Sequence, residues 1–169
     1  MNKRPALLGA STLLCLAAAG SFALAQSAPP APPSGAGAAP APYTMTLGDM
    51  MNTLIQPRHA KLGLAGEAEN WPLAQYALAE IRQSFAGIVK AQPKFMGLPL
   101  QQLVDAAVTQ PMNAVDAAIK QQDPQKFAAA YAQLTAGCNA CHTALEHPFV
   151  VIKVPDTSAF PNQDFKPHR

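Results

Sequence analysis

Cys138-Asn139-Ala140-Cys141-His142 is the stretch from which the rest of this 169-residue chain is read. The pattern C-x-x-C-H is the attachment signature of a c-type haem. Each cysteine sulfur would take one vinyl group of the porphyrin as a thioether, and His142 would ligate the iron. With residues 130–146 helical, Cys138 and Cys141 stand at i,i+3 and His142 at i+4 from Cys138, so all three project from one face. A redox dithiol would call for a surrounding βαβ pattern, which is missing. A structural zinc site would need a fourth ligand, and no second cysteine pair follows the N-terminal leader. The cofactor implied is one covalent haem c.

Working outward, Asp123-Pro124 provides an N-cap and a first-turn proline for the helix that carries the motif. Phe127, Tyr131, Leu134, Cys138, Cys141 and Leu145 then step by three and four, which puts both cysteines on the helix's core seam. Upstream lie three more helical patterns. Thr46 and Asp49 resemble a capping box ahead of Leu47, Met50, Met51, Leu54, Ile55 and Leu62; Pro57 is expected to kink or divide this helix near Gln56, and 63–69 to end it. Asn70 and Pro72 open a second helix, with Trp71, Ala74, Leu78, Ile81, Phe85 and Ile88 as its seam. A turn over 93–99 leads to a third, carrying Leu100, Leu103, Val104 and Val108, interrupted at Pro111 and continued by Met112, Val115 and Ile119. The fold class is therefore all-α: an antiparallel four-helix bundle over 44–148 with covalently bound haem. Downstream of the motif, Pro148 ends the helix, and Phe149-Val150-Val151-Ile152 is expected to run extended and pack on the bundle; 149–169 is read as a C-terminal extension, without an assignable pattern beyond 156.

The N-terminal 43 residues belong to other categories. Lys3 and Arg4 precede an apolar run from Ala6 to Leu24, and Ala23-Leu24-Ala25 offers a cleavage site, so 1–25 reads as an export signal to the periplasm. Residues 26–43, mostly Ala, Pro, Gly and Ser, read as a disordered linker. Of twelve Lys and Arg residues, two lie in the leader, leaving ten against ten Asp and Glu. That balance argues against nucleic acid as a partner and, once the leader is cleaved, against a membrane. Export to an oxidising compartment suits thiols that are to be consumed as thioethers.

Four antiparallel helices with C-x-x-C-H on the last one resemble the class II c-type cytochromes, the group of cytochrome c prime and its low-spin, methionine-ligated relatives. The resemblance covers about 46–146, with Cys138, Cys141 and His142 as its strict motif. The chain departs from that group in two ways. Twenty-seven residues follow His142, where members usually end soon after the motif, and the first helix carries a histidine where they usually present an apolar residue or methionine.

In that group the distal residue comes from the first helix, about three turns from its start, and the twelfth residue beyond Leu47 is His59. Bis-His ligation by His142 and His59 would give a low-spin, six-coordinate iron. The competing reading makes His59 a solvated side chain in Pro57-Arg58-His59-Ala60-Lys61. Met51 and Met50 are its rivals as ligands, and a thioether would raise the reduction potential; equally, they are core filling. Leu62 is a third alternative, if Arg58 matches the arginine that members carry one turn before the distal residue; the iron would then be five-coordinate and open to nitric oxide or carbon monoxide. Arg58 and Lys61 are candidate partners for haem propionates or plain solvated charges. Trp71 and Tyr131 pack in the core or on the porphyrin, and His147, five residues past His142, is expected on a different face.

The function expected is electron transfer by a periplasmic monohaem cytochrome, with unidentified redox proteins as partners; the alternative is a gas-binding haem protein. No enzyme is expected, because no distal acid–base pair accompanies His59. The resemblance also leaves room for a homodimer through an exposed helix face.

Overall fold

Thr46 opens the first helix with a complete capping box. Its hydroxyl accepts from the Asp49 N–H at 3.2 Å, its own N–H donates to the Asp49 carboxylate at 2.8 Å, and the Tyr43 hydroxyl donates to the same carboxylate. The computed structural model describes residues 42–168; the export signal at 1–25 and the linker as far as residue 41 lie outside them. Within this range the protein is all-α, with four long helical segments.

Helix α1 spans 47–67 and is composite: Leu47–Met50 is α-helical, Met51–Ile55 forms a π turn, and Gln56–Glu67 is α-helical again. Pro57 does not break it. The junction falls at Gln56, and the chain passes the proline by widening the turn before it. The helix ends at Glu67, within the expected 63–69, and two glycines of its last turns are contact points. A Cβ on Gly63 would come within 2.7 Å of the Tyr131 ring, and one on Gly66 within 1.9 Å of Phe127.

Helix α2, Trp71–Ala91, starts on the Asn70 side chain, which accepts from the Leu73 N–H, and buries Ala74, Leu78, Ile81, Phe85 and Ile88 along the expected seam. A small hairpin follows, β1 Lys94–Phe95 against β2 Leu98–Pro99, turned by Met96 and Gly97 at positive φ. Helix α3 spans 100–121 and repeats the design of α1: Leu100–Val104, a π turn at Asp105–Thr109, then Gln110–Gln121 running through Pro111. Helix α4, Pro124–Ala144, is capped by Asp123, which accepts from the Lys126 N–H at 3.0 Å.

Helix α1 packs on α2 and α4, and α3 on α2 and α4. Leu62, Leu78, Ile88, Leu100, Leu134 and Val115 are fully buried between them. Each such side chain contributes about 1.5–3 kcal/mol over its exposed state. Among the described residues no helix is long and apolar enough to cross a membrane.

After α4 the chain turns at Glu146, whose φ is positive, and lies against the helices. The Asn70 amide donates to the carbonyls of Phe165 and Lys166, and Phe165 is buried in the common core. Arg58 and Lys61 each have a partner within the chain. Arg58 pairs with Glu80 of α2 at 3.3 Å, and the Lys61 ammonium sits 4.8 Å above the Phe160 ring.

Candidate functional site

Cys138, Cys141 and His142 share one face of α4, as their spacing requires, and that face forms a wall of a cavity of about 340 Å³. The opposite wall is α1, presenting Leu47, Met51, Ile55 and His59; Val104 and Val108 of α3 and Phe85 of α2 close the apolar interior. The volume falls in the range of pre-formed sites for small molecules and cofactors, about 300–1,000 Å³. Both π turns border it.

The two cysteines are free thiols, each partly buried. Burial, with Cys141 beside it, pushes the Cys138 thiol up to about 11, and burial raises Cys141 as well. A nucleophilic dithiol depends on the opposite shift, toward a stable thiolate.

His142 is oriented by the chain beyond the helix. Its Nδ1 lies 2.8 Å from the Val150 carbonyl oxygen. A carbonyl only accepts, so Nδ1 carries the proton and Nε2 keeps its lone pair. The segment that supplies this carbonyl is itself held by the motif: the Asn139 amide donates to the Ile152 carbonyl at 2.8 Å and accepts from the Ile152 N–H at 2.8 Å. Val150 and Ile152 also line the cavity.

His59 is neither solvated nor between free cations. It is 3 % exposed, with Nδ1 at 2.9 Å from the Tyr131 hydroxyl and Nε2 at 3.0 Å from the Thr135 hydroxyl. The Tyr131 hydroxyl also donates to the His59 carbonyl at 2.7 Å, and the two rings stack at 4.7 Å. Burial lowers the His59 pKa from 6.5 to about 4, so the ring is neutral at pH 7.

Cross-helix pairs set α1 against α4. Gly66 abuts Phe127, Gly63 abuts Tyr131, and His59 meets Thr135, so α1 and α4 run in opposite directions. Seven residues lead along α4 from Thr135 to His142, and seven or eight lead back along α1 from His59, through the π turn, to Asn52 and Met51, both of which line the cavity. Met50 faces away, into a surface pocket with Leu54, Arg58 and Glu80, and Leu62 is buried away from the cavity. His147 lies beyond the end of α4 and is exposed; it lines the same cavity as His142, its Nδ1 donating to the Leu145 carbonyl. Sequence reasoning missed the Asn139 clamp and the Val150 carbonyl, whose only local signal was a short apolar run after Pro148.

Among the described residues no three His, Cys, Asp or Glu side chains are grouped to hold a metal ion by themselves. A macrocycle that brings its own nitrogen donors asks the protein for only one or two axial ligands. An apolar cavity bordered by two thiols and by the imidazoles of His142 and His147, each with Nδ1 on a backbone carbonyl, fits that demand, and of these two only His142 lies on the cysteine-bearing helix. Comparison of the chain with protein-family models, with curated proteins and with solved structures gives no match.

Proposed function

We propose that this chain is an exported monohaem c-type cytochrome: an antiparallel four-helix bundle of the class II kind that works in electron transfer between protein partners in the periplasm. Cys138 and Cys141 would hold the haem as thioethers, and His142 would be its proximal ligand. The observation that carries the reading is the 2.8 Å contact of His142 Nδ1 with the Val150 carbonyl, which in the neutral ring leaves Nε2 to a ligand, beside a cavity that both cysteines border. When bound, the haem supplies a one-electron ferrous–ferric couple. The chain's own contribution is an apolar enclosure, an oriented imidazole and a fixed attachment face.

For the sixth ligand the register favours Met51 over His59. Met51 stands level with His142 on the opposite wall, whereas His59 is two turns away with both ring nitrogens engaged. His–Met ligation raises the potential relative to bis-His. A carrier rather than a catalyst is the better reading, since no acid–base pair accompanies Met51.

The test is an absorption spectrum of the purified protein, ferric and ferrous, with and without carbon monoxide. Low-spin spectra unmoved by carbon monoxide are expected for the parent protein. Met51→Ala is expected to become high-spin and bind carbon monoxide, while His59→Gln stays low-spin. A high-spin parent that binds carbon monoxide would transfer the proposal to gas binding. Expression with the haem-attachment machinery that yields no covalent haem would sink it.

A further inference from the structure

Asn139, one of the two residues between the cysteines, has a task of its own. Asn139 uses both ends of its amide on one backbone unit, donating to the Ile152 carbonyl and accepting from the Ile152 N–H, each at 2.8 Å. This bidentate contact joins residues thirteen positions apart and fixes the strap that follows α4. Two residues before the clamp, the Val150 carbonyl receives the His142 Nδ1–H. Val151, between them, is 72 % exposed, so this part of the strap meets the cavity through Val150 and Ile152.

We infer that Asn139 is a positioning residue that sets the donor strength of His142 through the Val150 carbonyl, and with it the redox poise of the site; this rests on the cytochrome reading above. A carbonyl accepting from Nδ1–H draws the proton away from the ring and makes Nε2 a stronger donor. A stronger donor favours the oxidised metal. Without the clamp, Val150 is left with the His142 contact itself and its own N–H to the His147 carbonyl at 3.0 Å, since the Lys153–Asp156 pair lies within the strap and the Asn70 contacts fall at 165 and 166.

The experiment is a redox titration of the full chain produced with the haem-attachment machinery, after mass spectrometry has confirmed covalent haem. Asn139→Ala and Ile152→Pro remove the clamp from its two ends, the second by deleting the Ile152 N–H. Both are expected to raise the ratio of reduced to oxidised protein at fixed potential about tenfold, which for a one-electron couple is about 59 mV. Val151→Ala is expected to leave the ratio alone. Unchanged ratios in both clamp variants, a shift in Asn139→Ala only, or an equal shift in Val151→Ala would each overturn the inference while the cytochrome reading stands. If Asn139→Ala blocks attachment, Ile152→Pro decides by itself. A parent chain that carries no haem would bring down both.

Discussion

At the scale of single residues, His59 has the clearest energetic signature. Its ring is buried on α1 with Thr135 and Tyr131 as partners, and its pKa is lowered from 6.5 to about 4 by loss of solvent. The unfolded chain therefore takes up a proton near pH 6.5 that the folded chain refuses until about pH 4. The associated stability is complete above pH 6.5 and is lost as the pH falls through that window, with a slope of about 1.4 kcal/mol per pH unit. Urea midpoints measured from pH 7.5 to 4.5 are expected to fall accordingly, by about 2 kcal/mol at pH 5. His59→Gln, which retains hydrogen-bonding capacity without titrating, is expected to flatten that part of the profile. An unchanged slope in the variant would place the titrating group elsewhere.

At the scale of elements, α1 and α3 share a construction. Each has a π turn directly before a Gln-Pro pair, Gln56-Pro57 and Gln110-Pro111. Proline has no N–H and its ring crowds the carbonyl four residues back, so a regular turn would be strained there. The wider π turn absorbs this, and such turns recur at functional sites. In α3 the crowded carbonyl is that of Ala107, and it faces α4 at Gly137, immediately before Cys138. A Cβ at 137 would lie 2.2 Å from that oxygen. Gly137→Ala is accordingly expected to push α3 and α4 apart at the cysteines, costing about 1–3 kcal/mol or more and reducing covalent haem yield. The measurements are a urea midpoint and the ratio of haem absorbance to protein. A variant as stable as the parent would contradict so close an approach.

At the scale of the whole molecule, the last twenty or so residues act as a strap that touches two distant places. Near its start it offers Val150 to His142 and Ile152 to Asn139; near its end Phe165 enters the core, and the carbonyls of 165 and 166 receive the Asn70 amide at the start of α2. Phe165→Ala is expected to lower stability by about 3 kcal/mol, read as a lower thermal midpoint. His142 is expected to keep its Nδ1 hydrogen bond in that variant, because the Asn139 clamp holds the strap independently. The two effects separate in one experiment, since the midpoint moves and the visible spectrum of the haem-loaded chain does not.

Much of this architecture follows from interactions within one or two turns of chain, and these the sequence by itself determined. The caps at Thr46, Asn70 and Asp123, the seam from Ala74 to Ile88, and the shared face of Cys138, Cys141 and His142 all depend on spacings of three or four residues. Tertiary structure alone decided the rest. The helix end fell within the expected 63–69, but what Gly63 and Gly66 do there was not local: the aromatic rings of α4, more than sixty residues away, need the space. The sequence left His59 open between a ligand and a solvated side chain, and only the packing shows it buried with Tyr131 and Thr135 as partners. Counting along the sequence pointed to His59; the packing of α1 against α4 puts Met51 as well as His59 on the wall of the cavity that His142 borders. The physical reason is common to these cases. A side chain's neighbours on its own helix are set by helical geometry, whereas its neighbours across an interface are set by how two surfaces pack.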